Sequence, residues 1–417
     1  MNTLLNKAAY GLPFLLCLFV TLPASAATLD QAIRAAESYS AELSANSHQV
    51  DALDNMADSA TQLPDPKLKF GLDNVPVQGN NAHRFTREGM TMQKIGIQQQ
   101  YISSTKRERK ADAIRAQAQQ TAAGAALIRA RLQRETAQAW FNLSLSEKTL
   151  ASVQSLINET RRQVGTQKAG IASGGANPSS VLDVELALNA MRNEEDNARR
   201  DVQIAQANLQ RLTGEDIDKA SGTFPRIERL PAERSALIDG IKQHPEVVQA
   251  ARAADSAKAK SAQSEVAAIP DVGVEVYYGR RADDYDDMAG VMFTVDLPIF
   301  QNQRQDKDHA ADMSRTYEAN DQLTQIIRQH QADLAALIAQ YDAAKAIYDR
   351  QDQQVLPLLR SKISLVEAQY QSGSSSLTEI LAARRDLLNG EIAKNNAEKT
   401  LADSWAAIRY LIPQDVN

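Results

Sequence analysis

Val366-Glu367-Ala368-Gln369-Tyr370-Gln371-Ser372-Gly373 closes one helical run, and Ser376-Leu377-Thr378-Glu379-Ile380 opens the next. The first half of the chain carries the same passage: Val164-Gly165-Thr166-Gln167-Lys168-Ala169-Gly170, then Ser180-Val181-Leu182-Asp183-Val184. A helix-ending glycine followed by a Ser-x-x-Asp/Glu start is the pattern of a helical reversal. Farther upstream, Ile269-Pro270-Asp271-Val272 opens a strand-like segment, as Leu63-Pro64-Asp65-Pro66 does in the first half. The chain therefore reads as one unit written twice: long helix, strand pair, very long helix, reversal, helix.

The N-terminus reads as an export signal. Lys7 precedes an apolar stretch at 12–20, and Ala24-Ser25-Ala26 offers small residues for cleavage after Ala26. Cys17, the single cysteine, leaves with the signal, so the mature chain has no disulfide. Leu15-Leu16-Cys17 lacks the small residue that precedes a lipobox cysteine. The whole chain has 46 basic and 52 acidic residues; Lys7 is the only charge in the signal, so the mature net charge is −7. That acidity, with 5% aromatic residues, argues against a nucleic-acid partner. No later stretch reaches the ~18 consecutive apolar residues of a spanning helix. Any membrane passage must use strands.

Candidate strands alternate. Leu68, Phe70 and Leu72 share one face, with Lys67, Lys69 and Asp73 on the other. A second extended run begins at Met90 and ends at Tyr101; its alternation slips near Lys94, which predicts a bulge. In the second half Val272, Val274 and Val276 alternate with Gly273, Glu275 and Tyr277, and Val291, Phe293, Val295 and Leu297 with Met292, Thr294 and Asp296. Each strand has about the length that crosses a bilayer at a tilt. A four-stranded sheet cannot close, and open edges in lipid would leave backbone groups unpaired. Chains must then share a barrel, two giving eight strands and three giving twelve.

The helices after each strand pair are very long. At ~1.5 Å per residue the run from Thr105 to Ala169 is a rod of roughly 100 Å. Val181, Val184, Leu188, Met191, Ala198, Val202, Ala205, Leu209 and Leu212 follow a heptad on its return partner, with Glu195 out of pattern and Gly214 as the C-cap. Pro357 predicts a kink near Gln353 to Leu356 in the matching helix of the second half. The expected boundaries are a signal peptide at 1–26 and a first repeat at 27–214, with a β-hairpin at 67–101 and a helical hairpin at 105–212. An equatorial linker follows at 215–235. The second repeat spans 236–413, with a β-hairpin at 271–298 and a helical hairpin at 303–411, and a tail occupies 414–417. One continuous helix is expected from Thr28 to about Leu63.

This duplicated plan behind a signal peptide resembles the TolC-like outer-membrane factors of tripartite efflux pumps. Leu63-Pro64-Asp65-Pro66, Asn74-Val75-Pro76 and Met90-Thr91-Met92 with Ile95-Gly96 look most like the branch that serves heavy-metal efflux. The resemblance implies a mainly α protein with long antiparallel helical hairpins forming an α-barrel. Four strands per chain would join a 12-stranded trimeric β-barrel in the outer membrane. It implies a homotrimer that works with a periplasmic adaptor and an inner-membrane RND-type transporter, as a passive exit duct with no cofactor. The same plan leaves open drug efflux or type I secretion. A soluble periplasmic coiled-coil protein is the competing reading from another class. No nucleophile elbow, phosphate loop or paired catalytic acids points to an enzyme.

By position, the resemblance implies that Asp183 and Glu379 ring the periplasmic aperture, and that Tyr370 bonds the neighbouring hairpin in a closed state. A carboxylate ring concentrates cations. The same two residues sit three after Ser180 and Ser376, so each also fits a capping box. Ser375 and Ala382 stand where TolC has a latch arginine and a second aspartate, which puts an ionic latch in doubt. Gly170, Gly174, Gly175, Gly373 and Ser375 are candidate adaptor contacts. Glu275 and Asp296 are candidate lumen residues of the barrel, and Asp283-Asp284 with Asp286-Asp287 read as an exposed barrel loop. His48, His83, His244, His309 and His330 form no close pair in sequence, so no tight metal site is expected. Met90, Met92, Met288 and Met292 fall in the strand hairpins, where thioethers either suit a soft cation or simply fill space.

Overall fold

The computed structural model describes residues 25–172, 179–282 and 284–414. The chain begins with β1 (Ser25–Ala27), α1 (Leu29–Tyr39) and α2 (Ala41–Ala60). The predicted single helix is thus two. Ser40 holds extended backbone and its side chain accepts the Leu43 N–H, capping α2 and ending α1 at once. The break turns Tyr39 over Gly214, where any Cβ would meet the ring at 2.6 Å. Asp30 lies in the first turn of α1, behind a capping box of Thr28 and Gln31.

One sheet carries all four predicted strands: β2 (Lys67–Asp73), β3 (Met92–Tyr101), β5 (Val272–Arg280) and β6 (Met288–Val295). Their order is β2-β3-β5-β6, antiparallel throughout, so the two hairpins of the duplicated unit lie side by side. The register runs unbroken from Lys67↔Gln98 to Asp73↔Met92, and no bulge occurs at Lys94. The apparent slip has a simpler cause: Gln93 and Gln99 stand among the apolar residues of the other face. β3 also starts at Met92 rather than Met90. Asp296 lies one residue past β6, and its N–H still bonds the Asp271 carbonyl at 3.0 Å.

A small second sheet joins the N-terminus to the middle of the chain. β1 pairs in parallel with β4 (Ile217–Ala220), Ser25 opposite Ile217 and Ala27 opposite Ala220. Ser25 and Ala26, expected to leave with the signal, therefore extend the β4 edge. The stretch expected as a linker at 215–235 contributes Ile217 and Ile227 to the main core, with Phe224 packed on it.

The helices are those of the predicted hairpins. α3 (Ser104–Ala172) has 69 residues, about 100 Å at the helical rise, and α4 (Ser179–Thr213) returns along it. α4 ends at Gly214, whose φ is +71° and whose N–H bonds the Gln210 carbonyl. The heptad residues Val184, Leu188, Met191, Ala198, Ala205, Leu209 and Leu212 are all buried. After α5 (Arg234–Asp239) and α6 (Pro245–Glu265), α7 (Gln305–Arg350) runs into a π-helical turn at Gln351–Val355 and then α8 (Leu356–Gln371). Pro357 explains the turn: it has no N–H for the carbonyl four residues back, and the widened turn absorbs the gap. α9 (Leu377–Arg409) completes the second hairpin. No helix among the described residues is long and apolar enough to cross a membrane.

The largest core lies at the girdle, where α1, α3, α4, β4, α7 and α9 meet. Trp140, Phe141, Phe224 and Trp405 pack with ring centroids 5.1 to 6.2 Å apart. Trp140 donates to the Ala27 carbonyl at 2.9 Å, Trp405 to Arg229 at 3.0 Å, and the Tyr341 hydroxyl to Ile227 at 2.8 Å. These bonds fix the irregular girdle segments to the helices. Below the girdle smaller apolar clusters join α3, α4 and α9.

Candidate functional site

The strand sheet has two chemically distinct faces. One carries Leu68, Phe70, Leu72, Ile95, Ile97, Val276, Tyr278, Val291, Phe293 and Val295, and all of these are exposed; Phe70 reaches 83%. No helix among the described residues covers them, and an exposed apolar face of this size marks a membrane or protein contact. The register places Lys67, Lys69, Asp73, Lys94, Gln98, Glu275 and Thr294 on the opposite face. Glu275 pairs there with Lys69 at 2.6 Å, and Lys94 with Asp73. Tyr277 lies flat on the same face over Gly290, where a Cβ would meet the ring at 2.5 Å. Asp296 is exposed just beyond β6. Met92, Met288 and Met292 also fall on the polar face, while Met90 lies outside the strands. Among the loop acids, Asp287 accepts from the Tyr278 hydroxyl and the Arg281 N–H.

The helical tips lie at the other end. Ser376 caps α9, and Glu379 completes a reciprocal box by accepting the Ser376 N–H at 3.3 Å. The Ser375 hydroxyl donates to the same carboxylate. These two bonds hold the Glu379 carboxyl below its ordinary range. Asp183 is exposed on α4 and accepts from the Thr378 hydroxyl of α9 at 3.4 Å. Thr378 thus brings the two repeats' acidic tip residues to one end. A cleft of about 350 Å³ runs from this bond between α4 and α9, past Glu194 and Arg385.

The second reversal follows the sequence pattern. Gly373 has φ +77°, and Ser374 N–H reaches back to the Gln369 carbonyl at 2.8 Å. Tyr370 is half-buried in the last turn of α8, and its carbonyl accepts the Gly373 N–H. Gly170 falls in the last turns of α3; Gly174 and Gly175 lie outside the described residues.

Two groupings escaped the sequence reading. Arg384 of α9 is buried, bonded to Glu159 of α3 and Glu367 of α8. The available signal was its slot in the apolar spacing Leu377, Leu381, Arg384, Leu388. The second joins histidines that no sequence spacing links. His244 and His330, far apart in sequence, stack with ring centroids 3.8 Å apart, and Glu246 bonds His330 at 3.0 Å. Burial and the neighbouring His330 push His244 down to about 4.

Comparison with known proteins places this geometry. Residues 239–412 match the family model for outer membrane efflux proteins. That match falls in the second half of the chain. No curated protein matches it by sequence. Its fold matches that of CusC, at 16% identity over 91% of each chain with a TM-score of 0.73. The open-state MtrE outer membrane channel of Neisseria gonorrhoeae aligns over 92% of this chain and 88% of its own, at 15% identity and a TM-score of 0.72. VceC, an outer membrane protein of Vibrio cholerae, aligns at 18% identity over 92% and 95% with a TM-score of 0.69. At these identities the likeness shows a shared fold. Members of the family are channels, not enzymes.

Proposed function

We propose that three copies of this chain form the exit duct of a tripartite efflux system, carrying heavy-metal cations from a periplasmic adaptor and an inner-membrane RND-type transporter to the exterior. The observation that carries a shared barrel is the sheet itself, and the number three comes from the family resemblance. β2 and β6 are its edges, and its apolar face is bare. Such a sheet is stable in lipid only when copies close it, and three copies give a twelve-stranded barrel with the Lys69–Glu275 face inward. A 12-stranded barrel continues into the twelve long helical arms of the same three chains.

The metal assignment rests on the segments from Leu63 to Gly96 that resemble the heavy-metal branch. Asp183 and Glu379 at the tips suit a cationic cargo. Membrane fractionation with a heat-shift gel tests the duct: an outer-membrane trimer that becomes a monomer on boiling supports it, and a soluble monomer removes it. Growth of a deletion strain on metal salts and on hydrophobic drugs tests the cargo. Sensitivity to drugs alone would transfer the duct to drug efflux.

A further inference from the structure

We infer that His244, Glu246 and His330 form a resident binding site for a borderline divalent cation of the zinc type, clamping α7 to the start of α6. The inference does not depend on what the duct's cargo is.

The local sequence builds it. Pro245 at the first position of α6 holds His244 in extended backbone, φ −58° and ψ 132°. The imidazole then folds back over the helix start, where Nδ1 accepts the Glu246 N–H at 3.2 Å. Glu246 lies in the first turn, and its carboxylate reaches His330 Nε2 on α7. The three candidate ligand atoms lie within 4.8 Å of one another. Metal–ligand bonds of ~2.0–2.1 Å place tetrahedral ligand atoms about 3.4 Å apart, so the three side chains must close and His244 must either give up the Glu246 N–H that its Nδ1 accepts or ligate through Nε2 with its proton moved to Nδ1. The His330–Glu246 separation of 3.0 Å already has that scale.

The chemistry favours a cation there. The two imidazoles, with ring centroids 3.8 Å apart, set ring nitrogens beside one carboxylate. A divalent ion draws on two neutral rings and one carboxylate, a donor set of two nitrogens and one oxygen that suits zinc and leaves a fourth position for water. That position has room: the histidines line a cleft of about 290 Å³ with Asp333 and Gln414 in its wall. His330 is 14% exposed and Glu246 46%, so the ion has a route in. The hydrogen on His330 Nε2 that now meets Glu246 must move when the metal binds there.

The test uses the full chain, extracted in detergent and stripped with chelator. Titration with zinc chloride in a calorimeter should show one saturable site per chain. Both His330→Gln and Glu246→Gln should weaken it more than about tenfold, whereas His48→Gln on α2 should leave it unchanged. A heat-shift gel confirms that each variant still assembles. If the variants do not assemble, cobalt bound to the unmodified chain gives the second reading. Strong visible ligand-field bands of a four- or five-coordinate centre support the site, and only the weak bands of the hexa-aqua ion overturn it. Absence of saturable zinc binding, or binding that survives both substitutions, also overturns it. Neither result bears on the duct, whose tests are membrane location and trimer formation.

Discussion

Arg384 of α9 is 2% exposed at its side chain and donates to Glu367 of α8 at 2.8 Å and to Glu159 of α3 at 3.2 Å. One guanidinium therefore ties the helical hairpin of the second repeat to that of the first, below the girdle. Its Nε and Nη1 are buried with no bonded partner among the described residues. The arrangement is asymmetric, because the cation is buried while Glu159 remains half exposed. Removing the carboxylates strands a buried charge, whereas removing the arginine leaves acids that water can solvate. We expect Glu159→Gln with Glu367→Gln to destabilise the lower hairpins by about 3 kcal/mol, and Arg384→Met to cost distinctly less. Hydrogen exchange along 377–390 would report it; equal protection loss in both variants would contradict the asymmetry.

The tip carboxylates can be separated by substitution. Glu379→Gln keeps the reciprocal cap, since an amide also accepts the Ser376 N–H. It should change stability little, while Glu379→Ala, which removes the acceptor altogether, should destabilise the start of α9 more. If Asp183 and Glu379 ring an aperture, the pair Asp183→Asn and Glu379→Gln should reduce cation-over-anion permeability in planar bilayers. Unchanged reversal potentials would leave Glu379 as a helix cap alone.

The two faces of the sheet predict opposite tolerances. Val276 and Glu275 are adjacent in β5, opposite Ile97 and Gln98 of β3. Val276→Arg points a charge into lipid and should cost roughly 2–4 kcal/mol near the midplane. In the proposed barrel Gln98→Arg would point into the lumen and should cost little. The measurement is the yield of heat-shiftable trimer in the outer-membrane fraction, and equal yields would refute the assignment of faces.

Asp403 gives a pH dependence. Burial in the groove between α3, α4 and α9 raises its carboxyl from 3.8 to about 6, and nearby Lys399 only partly opposes this. Between those values the folded chain binds more protons than the unfolded chain. This contribution is therefore fully present below pH 3.8 and is lost as pH rises through 6. The charged form costs about 3 kcal/mol at neutral pH. Asp403→Asn should raise the thermal midpoint of the trimer at pH 7 and leave it nearly unchanged at pH 4. A uniform shift at both values would assign the effect to packing instead.

The sequence alone determined whatever depends on neighbours within a turn or a strand. Heptad residues such as Leu188 and Leu209, the reversal at Gly373, the capping box at Glu379 and the two-faced strands were all legible, because periodicity and capping are local. The repeat itself was legible because the two copies carry the same punctuation. The split at Ser40 was missed because a single serine is weak against an apolar pattern that continues through it. Lys94 misled for a related reason: glutamines at Gln93 and Gln99 blurred an alternation that the ladder keeps without a bulge.

Only the tertiary structure decided what meets across the repeats. Helices about 100 Å long bring distant residues to one level only when their registers are fixed by packing. That register sets Arg384 between Glu159 and Glu367, lays β1 along β4, and gathers Trp140, Phe224 and Trp405 at the girdle. It also carries His330 of α7 to the start of α6, where His244 and Glu246 already wait on one turn. Pairing across so many residues costs chain entropy that no local pattern encodes. The contacts therefore become visible only once the whole core has closed.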